Sequence, residues 1–169
     1  MSVEDDVAAL HDRVDAAVAP LEKRHRRRLQ CARGCTGCCV DDITVFEVEA
    51  ELIRVRHGRL LEEGSPGPRG ACAFLDGEGA CRIYAERPYV CRTQGLPLRW
   101  IDDELEAELR DICELNEEGP LITDLEPHAC WTLGPVEGEL QRLQLVHRET
   151  MVRVRLRDLF AGDHHGSSR

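Results

Sequence analysis

The chain is poor in aromatic residues. Of its 169 residues only two are Trp, two Tyr and three Phe, or 4%. An aliphatic core is therefore expected, and a bound cofactor could supply part of the missing bulk. No apolar run approaches the ~20 residues that a membrane-spanning helix needs, so no membrane is expected. The opening segment MSVEDDVAALHDRVD carries early acids and no apolar stretch of the secretory kind, which leads to the expectation of a cytoplasmic protein. Basic residues are outnumbered, 22 Lys and Arg against 32 Asp and Glu, for a net charge of −10. That balance argues against nucleic acid as a partner, because phosphate neutralisation needs a basic face. There is no Gly-rich phosphate loop, nucleophile elbow or HExxH motif. His11, His25, His57, His147, His164 and His165 show no ligand spacing with one another. No internal repeat is found.

What is present is a chain long enough to bury a core, with 42% hydrophobic residues, read as a single domain over 1–162 with a disordered tail at 163–169. The fold class expected is small α+β, with N- and C-terminal amphipathic helices around a cysteine-rich, metal-nucleated centre with short β-hairpins. Val7, Leu10, Val14, Ala17, Val18 and Leu21 recur every three or four residues, the stripe of an amphipathic helix. The first flanking helix is placed at 3–30, with a kink or break near Ala19 because Pro20 lies inside it. Thr44-Val-Phe-Glu47 has the capping-box pattern. It predicts a second helix to about His57, with Phe46, Ala50 and Ile53 inward and Val48, Leu52 and Val55 as further candidates.

GSPGPRG at 64–70 reads as an irregular linker. CAFLDGEGACRIY reads as a hairpin around Asp76–Gly79 with Cys72 and Cys81 near its ends. A short helical turn from Glu86-Arg87-Pro88 should lead to Cys91. Leu98 to Leu109 reads as a second hairpin turning at Asp102-Asp103, with Cys113 just beyond. The last flanking helix is placed at 136–161 on Leu140, Leu143, Val146, Met151, Val154 and Phe160. Lys23 to Arg28 forms a basic block that reads as a solvated helix end, with docking of an acidic protein or RNA as the other reading.

Nine cysteines are the dominant signal, and eight lie between positions 31 and 113. Without export they are not a disulfide framework, and in a reducing compartment metal ligation is the common use. The order is Cys31-x3-Cys35-x2-Cys38-Cys39, then Cys72, Cys81, Cys91 and Cys113. Thiolates are soft, charged donors suited to zinc or to cluster iron, which typically takes four. Gly34 and Gly37 let the backbone turn tightly so that neighbouring thiols converge. Adjacent Cys38 and Cys39 should point in different directions, which suits two metals, two corners of one cluster, or one ligand and one core position. Eight donors leave room for two centres. Cys130 stands apart and reads as a buried hydrophobe, although His128 leaves a Cys/His pair open.

The segments CARGCTGCCV, CAFLDGEGACRIYAERPYVCR and DICELN resemble the YkgJ-like cysteine-cluster proteins, marked by a CxxCxxCC signature and regarded as candidate zinc or iron chelators. The resemblance covers roughly residues 31–115, and Cys81-Arg-Ile-Tyr84 through Arg87-Pro88 to Cys91-Arg92 carries its more specific half. It implies a metal-binding set of Cys31, Cys35, Cys38, Cys39, Cys72, Cys81, Cys91 and Cys113. The first interval here is three residues where that family usually has two. Arg82, Arg87 or Arg92 could offset thiolate charge by hydrogen bonding. The expected function is metal binding, with zinc or an iron–sulfur cluster as cofactor. The alternatives are an iron–sulfur redox protein, or an accessory or enzyme of protein or peptide modification, since related motifs occur in flagellin lysine-N-methylases.

Overall fold

The computed structural model describes residues 2–160. It is a small mixed helix-and-sheet protein, with four α-helices and short strands among the described residues. The chain divides into two compact units. The first comprises residues up to Ala9, Arg33–Pro88 and those from Leu140 onward, and the second Leu10–Ala32 and Tyr89–Glu139.

Helix α1 spans Val3–His25 and contributes to both units. Val7, Leu10, Val14 and Val18 are buried along it, as the stripe requires, while Ala17 is exposed. The expected break near Ala19 does not occur. Pro20 and Ala16 both lie on the exposed face, so the carbonyl deprived of its N–H partner can turn to water. The helix stops at His25 and does not run on to residue 30. Arg28 instead buries its side chain, and the Arg28 N–H closes a turn onto the His25 carbonyl at 2.8 Å.

In the first unit, β1 (Thr44–Phe46) pairs antiparallel with β5 (Arg153–Arg155), Val45 opposite Val154. Helix α2 (Glu47–Glu63) follows β1 directly. The capping box is thus replaced by a strand, because Thr44 is held extended by its ladder partner Arg155. The orphan N–H of Val48 in the first turn of α2 is taken by Gln144 Oε1 at 3.1 Å, and that of Glu47 by the Val152 carbonyl at 3.3 Å. Gln144 comes from α4 (Pro135–Arg148) and is wholly buried. Phe46, Val48, Ala50, Leu52 and Ile53 are buried, whereas Val55 is exposed. At His57 the helix kinks (φ −126°, ψ 22°) and then continues to Glu63.

Where one helix over 136–161 was expected, α4 ends at Arg148. Glu149 takes φ +57°, the chain reverses, and Val154 enters β5 before a 3-10 turn over Leu156–Leu159. Val146 and Met151, two residues of the expected helical stripe, are exposed, whereas Leu156, Leu159 and Phe160 are buried and Val154 is partly buried, by strand and turn, a pattern that helical spacing imitates. The three buried residues join Val45, Ile53, Leu61, Ile83 and Phe74 in one core, with the Phe74 and Phe160 rings 5.1 Å apart. The proposed tail at 163–169 lies outside the described residues.

In the second unit, β2 (Leu98–Asp102) and β3 (Ala107–Asp111) form the expected hairpin, Leu98 opposite Asp111. Asp102 Oδ1 accepts from the N–H groups of Glu104 and Leu105 at 3.0 and 2.9 Å, a local turn bond of the kind Asp favours. A third strand, β4 (Trp131–Thr132), adds parallel to β2. Trp131 Nε1 donates to the Tyr89 hydroxyl at 2.9 Å, from the short helix α3 (Tyr89–Arg92) that follows Pro88.

Candidate metal centre

Five of the eight candidate ligands, Cys35, Cys38, Cys39, Cys72 and Cys81, belong to the first unit, and Cys31, Cys91 and Cys113 to the second. All nine cysteines are free thiols.

In the first unit the loop around Cys35 is pinned to the turn that precedes Cys81. Arg33 Nη2 donates to Glu78 Oε2 at 3.0 Å, and a Cβ on Gly79 would meet Thr36 Cγ2 at 3.2 Å. Gly34 takes φ +90°, the left-handed region that glycine enters without steric cost. The Cys39 N–H closes a turn on the Thr36 carbonyl at 2.9 Å, and the Cys39 carbonyl accepts the Cys72 N–H at 2.8 Å. The hairpin expected over 72–84 is reduced to one antiparallel bridge, Leu75 opposite Cys81. Its turn is organised by Asp76 Oδ1, which accepts from Glu78 and Ala80 at 2.9 and 2.8 Å. Cys39 and Cys81 pack against the core cluster that contains Cys72.

The irregular segment 64–70 is held from outside itself. Arg157, buried beside Asp41, donates to the carbonyls of Gly67, Pro68 and Ala71 at 2.9, 3.0 and 3.0 Å and pairs with the Asp41 carboxylate. The linker is thereby a shaped wall of the cysteine region.

The thiols differ in charge. A hydrogen bond from Cys39 lowers the Cys38 thiol to about 6, which favours its thiolate form. The two adjacent side chains do not simply point apart, because they sit in a closed turn and not in a regular strand or helix. Burial pushes Cys72 up, and neighbouring Cys81 adds to the rise. Burial also raises Cys81, with Arg87 and Arg82 pulling the other way. Cys72, which is buried, and Cys81, which is partly buried, lack a compensating positive charge strong enough to ionise them, which a metal cation supplies.

The arginines of the RIYAERPYVCR stretch have structural duties as well. Arg82 Nη2 bonds the carbonyls of Ser65 and Ala73 at 2.9 and 2.6 Å. Arg87 stacks 4.2 Å over the Tyr84 ring. Arg92 is buried, bonded to Asp15 at 2.5 Å and to His11 Nδ1 at 3.3 Å.

In the second unit, the Cys31 sulfur accepts from Asn116 Nδ2 at 3.4 Å, and the Asn116 N–H donates to the Cys113 carbonyl at 2.7 Å. Cys91 lies in α3. Arg28 donates Nε to the carbonyls of Asn116 and Glu118 at 3.0 and 3.1 Å, and Nη2 to those of Glu117 and Pro120 at 3.2 and 2.9 Å. Two members of the basic block are therefore buried, Arg28 as a clamp and His25 with its Nε2 2.7 Å from the Ala129 carbonyl, while Arg24, Arg26 and Arg27 remain exposed. Cys130 is buried and raised by that burial. Sequence reasoning missed the roles of Asn116, Arg28 and Arg157. Their bonding partners lie tens of residues away, although Asn116 closes the DICELN segment already singled out.

Among the described residues, no group of three or more Cys, His, Asp or Glu side chains is arranged to hold a metal ion. The donors fit a soft metal by their chemistry, as thiols of one unit with Cys38 lowered toward its thiolate form.

A model of the CxxCxxCC family, described as a "putative zinc- or iron-chelating domain", matches residues 30–114, half of the chain. The chain belongs to this family. The CxxCxxCC match begins one residue before Cys31 and ends one after Cys113, so all eight candidate ligands lie within it and Cys130 lies outside. Comparisons with curated proteins and with solved structures gave no match. Among the described residues no helix is long and apolar enough to cross a membrane.

Proposed function

We propose that this CxxCxxCC protein holds zinc or an iron–sulfur cluster through its clustered thiolates. The observation that carries the reading is the Cys38–Cys39–Cys72–Cys81 neighbourhood. There Cys38, its thiol lowered by a hydrogen bond from Cys39, sits in a tight turn of the same unit as buried Cys72 and partly buried Cys81, whose charged forms need a cation. Cys35 joins them through the loop pinned at Gly79. Cys31, Cys91 and Cys113 are the proposed donors of the second unit, taken by itself.

Each residue has a distinct part. Cys38 offers a sulfur lowered toward its thiolate form. Cys72 and Cys81, raised by burial, release protons as they bind, which makes affinity rise with pH. Arg157 and Asp41 hold the wall over Gly67–Ala71, and the Asp76 turn fixes the approach to Cys81. Bound zinc would supply a structural cross-link, and an iron–sulfur cluster an electron-accepting centre. A metal-nucleated centre suits a region whose backbone is mostly turns and that depends on long-range clamps. Free thiols in this number suit a reducing compartment such as the cytoplasm.

The redox reading draws on one feature, the charges of Arg82 and Arg87 acting on Cys81. Positive charge near cluster sulfur raises its potential. Anaerobic purification, followed by absorbance and by zinc, iron and acid-labile sulfide content, tests both readings. Stoichiometric zinc in a colourless protein excludes the redox reading. Brown colour with sulfide supports it. A folded protein that binds neither metal overturns the proposal.

A further inference from the structure

We infer that Asn116 and Gly95 build the seat of the Cys31 sulfur, and that Asn116 is a positioning residue for a metal-bound thiolate there. This rests on the metal-binding reading above and deepens it.

Asn116 is completely buried. Its Oδ1 accepts from the Gln30 N–H at 2.7 Å. Its Nδ2 donates to the Gly95 carbonyl at 2.8 Å and to Cys31 Sγ at 3.4 Å. An amide has two N–H bonds to give, and one of them goes to a sulfur. A neutral thiol is a weak acceptor, whereas an ionised acceptor strengthens such a bond roughly twofold. A buried donor committed to sulfur therefore fixes where that sulfur sits.

Gly95 shapes the other side. It takes φ +87°, and a Cβ there would lie 2.4 Å from Cys31 Sγ and 3.0 Å from Asn116 Nδ2. The sulfur occupies the space a side chain would need. Cys31 itself is exposed, so its sulfur can be held from one side and still meet a metal from the other. The backbone N–H of Asn116 also anchors Cys113, which couples two of the proposed donors to one residue. Cys31 is the cysteine set off by the irregular first interval, and this seat assigns it a defined place.

Zinc affinity, measured by chelator competition on the full chain, tests the inference. Asn116→Asp keeps an acceptor for Gln30 and removes the donor to sulfur. With folding confirmed by circular dichroism, zinc affinity is expected to fall about 10- to 100-fold, the range for residues behind a ligand. Cys31→Ser should also weaken binding, and Asn116→Asp added to it should cause no further loss. Wild-type affinity in folded Asn116→Asp, or full additivity with Cys31→Ser, overturns the inference. If Asn116→Asp does not fold, the wild type loaded with cadmium-113 decides the matter. Its Asn116 side-chain amide proton is expected to move downfield on loading, and an unmoved resonance overturns the inference. A folded wild type that takes up no metal overturns the metal-binding reading itself. Metal uptake indifferent to Asn116 overturns only this inference.

Discussion

The Cys72 N–H donates to the Cys39 carbonyl at 2.8 Å, joining the first cysteine cluster to the hairpin region across more than thirty residues of chain. That bond brings the two sequence segments together. Cys81→Ser and Cys38→Ser are expected to abolish stoichiometric metal loading. Cys130→Ser should load normally while losing about 1–3 kcal/mol of stability from a buried hydroxyl. Metal content by mass spectrometry, alongside urea denaturation, checks this. Equal loss of metal at Cys130 would show that the division of the nine cysteines is wrong.

Cys38 is held at about 6 against an ordinary 9.0, whereas burial raises Cys72 and Cys81. Folding favours the charged form of Cys38. Its contribution to apoprotein stability is therefore full above the ordinary thiol value and is lost as pH falls through about 6. The contributions of Cys72 and Cys81 run the other way, full below the ordinary value and lost as pH rises past it. Iodoacetamide should alkylate Cys38 of the metal-free protein with a half-maximal rate near pH 6, and Cys72 and Cys81 only under alkaline conditions. A Cys38 midpoint near the ordinary thiol value would contradict the hydrogen bond from Cys39.

Gln144 caps the first turn of α2 through Val48 and bonds the Thr150 carbonyl at 2.8 Å. Gln144→Ala is expected to cost about 2 kcal/mol, in the range for a lost cap and a buried unsatisfied donor. Thr44→Ala should cost less, because Thr44 lies in β1 and caps nothing. Chemical denaturation of both variants decides the order, and a larger loss at Thr44 would restore the capping box.

Arg28 and Arg26 share a basic block and differ in burial. Arg28→Ala leaves four backbone carbonyls without their donor and is expected to destabilise by about 3 kcal/mol, given the strength of bonds to charged groups. Arg26→Ala should stay within about 0.5 kcal/mol. Thermal melts compare the pair. Equal effects would mean that the block acts as a charged surface and not through the Arg28 clamp.

Some elements were legible because their signals are local. The α1 stripe, the β2–β3 hairpin with its Asp102 turn, and the irregular 64–70 segment follow from neighbouring residues. Others misled for the same reason. Thr44-Val-Phe-Glu47 satisfies a helix-start pattern, yet Thr44 is captured by a strand more than a hundred residues later. Val154 and Phe160 extend the spacing of α4, yet the left-handed turn at Glu149 sends them into the core by another route. Pro20 signals a break where an exposed helix face tolerates the missing bond.

The sequence by itself determined the donor chemistry. Nine thiols, their spacing, and the RIYAERPYVCR stretch identify a cysteine-cluster protein and separate Cys130 from the rest, because ligand type and clustering are properties of composition and order. Only the tertiary structure decided which thiol is lowered and which are raised, which are buried, and what supports them. The bond from Asn116 to Cys31 spans 85 residues, and the clamp from Arg157 to Pro68 spans 89. Interactions of that range depend on how the chain closes on itself, and no local pattern encodes them.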